Sequence, residues 1–318
     1  MGSVATAKQT RGSRCRVRDF SIALDLTAIR GVERADQIVP IAEEWPQVGS
    51  LPTHSSDVPV FCLAGLLGLP EASLQPGSQL LLTETSAGPV GLLVDQTSQG
   101  SAISQESFVR VPDLLQSPHF AAIVRMGSSL LPWLDPVSLF TGQSTIELPA
   151  APPWHHRSSA GSQQRLMVIS LPDALPGERE WSIGLPAAVV AEVIDPEVLR
   201  VPGTLSFVAG LMAWRDRIIA VLDLCQWLGL PSRGVERSLV AVLASPGASE
   251  PVGLLIPRGV RLLKLPIPNL RSERVFPGDS ERIVASVEAE EQTIALLDLV
   301  RLTRAETTSL TTSVTDPV

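Results

Sequence analysis

The chain has 318 residues, 44% apolar and 18% charged, with a formal net charge of −8. That balance excludes wholesale disorder, and at about 150 residues per domain the length predicts two domains. No run of about 18 apolar residues occurs and the first twenty residues lack the apolar stretch of a secretory signal, so neither membrane insertion nor export is expected and the predicted location is cytoplasmic.

In chain order, residues 1–19 carry five basic side chains against one acidic and are predicted to be a flexible basic arm. Residues 20–148 follow with four basic against thirteen acidic side chains, and residues 164–306 with fifteen against eighteen. An acidic body repels polyphosphate backbones, so nucleic acid is not an expected partner. Residues 149–163, rich in Pro and Ser, cannot bury a core and are predicted to be a linker. Residues 307–318, rich in Thr and Ser, are predicted to be a flexible tail.

Within both bodies the apolar runs are short, as at residues 79–83, 90–94, 218–224, 239–243 and 293–297, and they are bounded by Gly, Pro, Asn, Asp or Ser. Runs of that length set off by 27 prolines and 23 glycines predict an all-β chain of short strands. Short helices are expected at 63–67 and 224–228, each closed by Gly-Leu-Pro, with the glycine suited to a left-handed cap and the proline to a stop.

The bodies repeat one another. Ile22-Ala23-Leu24 aligns with Ile183-Gly184-Leu185 and Gly49 with Gly210, both at an offset of 161. Val60-Phe61-Cys62-Leu63 and Leu67-Gly68-Leu69-Pro70 align with Val221-Leu222-Asp223-Leu224 and Leu228-Gly229-Leu230-Pro231 at the same offset. Pro89-Val90-Gly91-Leu92-Leu93 returns as Pro251-Val252-Gly253-Leu254-Leu255 at 162, and Leu134-Asp135 as Leu297-Asp298 at 163. Matches in this order with so little drift identify a tandem duplication.

No nucleophile elbow, phosphate-cradling Gly-rich loop with Lys, zinc-protease helix or paired-cysteine knuckle is present, so no enzyme activity, cofactor, metal or small-molecule substrate is expected. Only an unexpected concave site with convergent polar groups would revive a ligand-binding reading. Cys15, Cys62 and Cys225 are an odd number at wide spacing, which predicts buried apolar thiols and no disulfide framework. Asp135 and Asp298 are predicted to close turns by bonding backbone amides.

The residues that stand out suit a contact surface. Trp214-Arg215-Asp216-Arg217 lies at the mouth of the run 218–224, which contains Asp223. Trp and Arg supply rigid contact area and forked donors. Trp214 is equally compatible with core packing, and Arg215 with a solvated role or a brace to Asp216 or Asp223.

In this order and spacing, Val201-Pro202-Gly203-Thr204, Gly210, the Arg215 turn, the 218–224 run, Gly229-Leu230-Pro231, Val252-Gly253-Leu254-Leu255-Ile256 and Ile294-Ala295-Leu296-Leu297-Asp298 resemble the CheW-like family of bacterial chemotaxis. The resemblance covers residues 165–305, with 20–142 as a more diverged copy. It implies tandem CheW-like domains, each a pair of five-stranded SH3-like barrels with short helices. It also implies a non-enzymatic adaptor that binds the regulatory domain of a histidine kinase and the cytoplasmic tip of a chemoreceptor, or alternatively a modulator of another motility output, such as type IV pili, that binds or sequesters the kinase without coupling receptors. The implied partner-binding residues are Arg215, Trp214, Asp216, Arg217 and Asp223. Arg215 falls on the arginine of the family's Asn-Leu-Arg-Gly turn, whereas Ala213, Trp214 and Asp216 replace its neighbours. A positive φ at the Asp216 position would suit glycine better than aspartate. In the first copy His54 stands where the arginine would be and Cys62 where Asp223 is, so that copy's surface is expected to be lost or altered.

Overall fold

The computed structural model describes residues 10–41, 45–53, 57–70, 77–85, 88–115, 119–120, 122–141, 165–171, 181–232, 234–244, 250–264, 270–271, 276, 280–289 and 292–303. His54, the expected linker at 149–163 and the expected tail at 307–318 lie outside these residues.

The first copy contains β1 (Thr10–Val17), β2 (Phe20–Asp25), β3 (Ile29–Arg34), β4 (Gln47–Pro52), β5 (Asp57–Cys62), α1 (Leu63–Leu66), β6 (Gln79–Thr85), β7 (Gly88–Val94), β8 (Gln96–Thr97), β9 (Ser101–Ile103), β10 (Phe108–Arg110), β11 (Ala122–Met126), β12 (Ser129–Leu134) and α2 (Ser138–Thr141). The second contains β13 (Arg165–Ser170), β14 (Trp181–Pro186), β15 (Val190–Ile194), β16 (Val208–Trp214), β17 (Arg217–Asp223), α3 (Leu224–Trp227), β18 (Ser238–Leu243), β19 (Val252–Pro257), β20 (Val260–Lys264), β21 (Leu270–Arg271), β22 (Ile283–Ala289), β23 (Gln292–Leu297) and α4 (Leu299–Thr303). The chain is therefore mainly β with short helices.

Each copy supplies two small mixed sheets. In the first copy they are a seven-stranded sheet, β10-β11-β12-β2-β1-β8 with β9 also on β1, and a five-stranded sheet, β3-β6-β7-β5-β4. In the second they are a six-stranded sheet, β20-β13-β14-β23-β22-β21, and a five-stranded sheet, β15-β18-β19-β17-β16. The strand counts above five arise from the short strands β8, β9 and β21. The parallel pairs repeat in register: Val60 faces Gly91 and Val221 faces Gly253, while Trp133 faces Ala23 and Leu296 faces Gly184. Duplication is thus visible in the hydrogen-bond ladder as well as in the sequence.

The expected basic arm is corrected from Thr10 onward, because residues 10–17 form β1. Its arginines alternate with residues turned inward: Arg14 and Arg16 are exposed, while Ser13, Cys15 and Val17 are buried. Period-two alternation is the mark of a half-buried strand. The density of arginine reads as a solvated tail only when the intervening small residues are ignored.

The matched glycines have steric causes. An added Cβ at Gly49 would lie 2.5 Å from the Val39 carbonyl oxygen, and at Gly210, φ 144°, 2.2 Å from that of Leu199. At both places a second chain segment forms a bridge beside the glycine, Val39 with Ser50 and Leu199 with Leu211. Gly68 (φ 71°) and Gly229 (φ 75°) end α1 and α3. In each case the next leucine N–H reaches five residues back, Leu69 to Ala64 and Leu230 to Cys225, while the glycine N–H reaches three back. These are Schellman caps, as the Gly-Leu-Pro stops predict.

By compactness the chain divides into Met1–Pro153 with Glu197–Ala220, and Trp154–Pro196 with Val221–Val318. The packing units are therefore not the two contiguous bodies, 20–148 and 164–306, that the repeat outlines. In the first unit one core cluster comprises Ala23, Ile103, Phe108, Ala122, Val124, Leu131 and Trp133, and another comprises Leu51, Val58, Val60, Leu80 and Leu93. In the second unit Leu166, Val168 and Ile294 pack with Leu263 and Leu296. Among the described residues no helix is long and apolar enough to cross a membrane.

Candidate docking site

β16 ends at Trp214 and β17 begins at Arg217, leaving Arg215 and Asp216 as a two-residue hairpin loop. Such loops need a positive φ in at least one central position to match the twist of the strands. Here it falls on Arg215, at φ 54°, and not on Asp216. A left-handed non-glycine residue costs about 1–2 kcal/mol.

Arg215 is exposed, and its Cζ lies 4.4 Å from the centroid of the Trp214 ring. Trp214 itself is buried, with 3% of its surface accessible, so its part is to seat the guanidinium from below. That stacking restrains the plane of the fork. Asp216 is exposed, and its Oδ1 lies 3.7 Å from Nε of Arg217, whose side chain is only 14% accessible. The aspartate thus braces its other neighbour. The loop presents one guanidinium and one carboxylate side by side.

Asp223 is not brought to this loop. It stands at the far end of β17, six residues from Arg217 and about 20 Å away at the rise of an extended strand. It is buried, its Oδ1 accepts from the Gln226 N–H at 3.1 Å as the N-cap of α3, and its Oδ2 accepts from Ser232 Oγ at 2.5 Å. Those bonds give Asp223 a structural role, which corrects its place in the expected contact set. Cys62 occupies the same N-cap position before α1 and makes no side-chain cap.

Asp135 and Asp298 hold turns as predicted: Val137 N–H reaches Asp135 Oδ1 at 2.9 Å, and Val300 and Arg301 N–H reach Asp298 Oδ1 at 3.0 and 3.1 Å. All three cysteines are free and buried. Burial, with Asp95 as a lesser cause, pushes the Cys15 thiol up to about 12. Among the described residues no cluster of three or more His, Cys, Asp or Glu side chains could hold a metal ion.

The sequence did not reveal a second loop of the same kind. Arg18 and Asp19 join β1 to β2, with Arg18 at φ 58° and its N–H donating to Asp95 Oδ2 at 2.5 Å. The available signal was the shared Arg-Asp pair between strands. The β11–β12 hairpin solves the same problem with Gly127 at φ 63°.

Duplicated small mixed sheets, each copy carrying a short helix closed by a glycine, define a class of tandem, mainly-β repeat proteins. The CheW-like domain model matches residues 12–144 and again 174–307, and the chain belongs to that family as two tandem copies. A similar solved structure is that of the scaffolding protein TtCheW from Thermoanaerobacter tengcongensis, at 17% identity and a TM-score of 0.39 over 43% of this chain and 98% of that one. No curated protein matches.

Proposed function

We propose that the chain is a non-enzymatic cytoplasmic adaptor of chemotaxis-type signalling that couples a chemoreceptor tip to the regulatory domain of a histidine kinase. The observation that carries the reading is the Arg215 guanidinium, held over the buried Trp214 ring at 4.4 Å on a left-handed loop position. A side chain kept in a costly backbone state and pre-stacked in one plane is suited to recognition, because less freedom is lost on binding. Asp216 and Arg217 complete the docking loop. Two copies in one chain raise the effective concentration of one partner near another without any chemistry.

The test separates binding from folding. Arg215→Ala is expected to weaken binding of the full chain to a chemotaxis-type kinase regulatory domain at least tenfold, on the order of the loss of an arginine hot spot. Arg215→Gly should lose as much binding while raising stability by about 1 kcal/mol, since glycine accepts the positive φ. Titration calorimetry and urea melts measure the two effects. Unchanged binding in both variants would remove Arg215 as the anchor. Trp214→Ala is a poor probe, because emptying a buried Trp site costs about 3–5 kcal/mol of stability.

A second reading rests on the turn itself, where Ala213, Trp214 and Asp216 depart from the family's Asn-Leu-Arg-Gly. It is a modulator of another motility output, such as type IV pili, that holds the kinase without joining a receptor. Kinase binding with no binding to the receptor tip would select it.

A further inference from the structure

A cleft of about 600 Å³ opens on the first copy, with Arg14, Arg125, Ser98, Ser104 and Ser107 among its lining residues. Among the described residues no carboxylate lines it, although residues 10–141 carry thirteen acidic side chains against eight basic. Arg14 and Arg125 are both exposed, and among the described residues neither has a carboxylate within ion-pair distance. Two guanidinium groups thus share one concavity with no carboxylate paired to either among the described residues.

The hydroxyls around them are organised. Ser98 Oγ accepts the Arg14 backbone N–H at 3.1 Å, which leaves its own hydrogen to donate elsewhere. Ser104 and Ser107 Oγ lie 2.9 Å apart, so whichever donates, the other keeps a free hydroxyl hydrogen. Cationic forks and neutral O–H donors are the groups that recognise an oxyanion.

The second copy supplies the comparison. Arg14 faces Ala23 in register as Val168 faces Gly184, and Ala23 aligns with Gly184, so Val168 is the counterpart of Arg14. By the same reasoning along the β11–β12 and β22–β23 hairpins, Glu288 is the counterpart of Arg125. Val168 is fully buried in its core cluster, and Glu288 carries the opposite charge. The first copy thus holds an arginine where the second holds a core valine and another where the second holds an acid, both on the lining of one cleft.

We propose that this cleft binds a phosphate monoester dianion, with Arg14 and Arg125 as its charge partners and the serine hydroxyls as neutral donors. Two fixed positive charges match a group that carries close to two negative charges at pH 7, and the cleft is of a size that holds small ligands. The group can arrive on a free small molecule or on a phosphorylated side chain.

The test titrates the full chain with three probes, inorganic phosphate, free phosphoserine and a short phosphoserine peptide, followed by calorimetry and ³¹P NMR. At least one should bind saturably at millimolar concentration. A preference for the peptide over the first two would identify a protein-borne phosphate, and equal binding a small-molecule source. Arg14→Val and Arg125→Glu, the second copy's own residues, should each weaken binding about tenfold or more. Arg14→Lys and Arg125→Lys should retain part of it, because charge is kept and only the fork is lost. Both side chains are exposed, so thermal melts of these variants should match the parent's. Arg215→Ala should bind phosphate normally, which keeps this result independent of kinase docking. Absence of saturable binding by all three probes, or binding undiminished in Arg14→Val and Arg125→Glu, would overturn the proposal.

Discussion

Asp223 and Cys62 show how a single residue divides two copies of one fold. Both stand at the N-cap of a four-residue helix that a glycine closes in the same way, but only the aspartate accepts a backbone N–H, from Gln226. A short helix cannot sustain itself by propagation, so its end groups matter out of proportion to its length. Asp223→Ala should cost about 1–3 kcal/mol, from the lost cap and from a Ser232 hydroxyl left without its acceptor. Urea melts at constant m-value measure this, and a shift below about 0.5 kcal/mol would show that the carboxylate does not brace α3. The variant's binding to the kinase domain should stay intact once it is folded. The sequence singled out Asp223 because the family keeps it, which indicates that the residue matters without indicating why. Burial and a short contact to Ser232 are three-dimensional facts that no local pattern carries. Arg215, by contrast, was legible, because an arginine between two apolar strands has few places to go but outward.

At the scale of elements, β1 and β12 exchange volume with their counterparts β13 and β23. Gly12 and Leu166 occupy equivalent register positions, facing Asp25 and Pro186, and so do Trp133 and Leu296, facing Ala23 and Gly184. A Cβ on Gly12 would lie 2.4 Å from Ile103 Cδ1 and 2.7 Å from Trp133 Cζ3, so the glycine is the space that the tryptophan fills. One copy pairs the smallest residue with the largest, and the other pairs two leucines. Gly12→Leu alone is expected to destabilise by about 1–3 kcal/mol through overpacking, and Trp133→Leu alone by about 2–4 kcal/mol through a cavity. The double variant should recover at least about 1 kcal/mol relative to the sum, which a double-mutant cycle by thermal or urea melts reads directly. Additive losses would mean that the two positions do not share volume. This exchange was hidden in the sequence because β1 was hidden. Its arginines suggested an arm, and only the alternation of Ser13, Cys15 and Val17 betrays a strand. The glycine repeats were legible for the opposite reason. Gly49 and Gly210 must accept a neighbouring carbonyl, and the helix-closing Gly68 and Gly229 must accept a positive φ, so each had to persist in place through duplication.

For the whole molecule, the repeat reports ancestry and the packing reports something else. A periodic sequence predicts two bodies cut near residue 150, but residues 197–220 of the second copy belong by compactness with the first. Within that unit an added Cβ at Gly203 would lie 3.2 Å from the Leu67 carbonyl oxygen and 3.4 Å from His119 Cδ2, so the chain runs close against both. The stretch includes Trp214 and Arg215, which places the proposed docking loop in the unit that holds the first copy. A first copy whose own loop has diverged would then be kept as the support of its neighbour's loop. Residues 164–306 expressed alone should therefore lack part of the packing of 197–220, and melt less cooperatively and at a lower temperature than the full chain. They should also bind the kinase domain more weakly although every proposed contact residue is present. Calorimetric melts with binding titrations of the two lengths measure both effects, and mixing in residues 1–163 should restore part of the loss. If 164–306 melts as sharply as the full chain and binds equally well, the docking loop needs no support from the first copy, and the duplication must serve the partners rather than the fold.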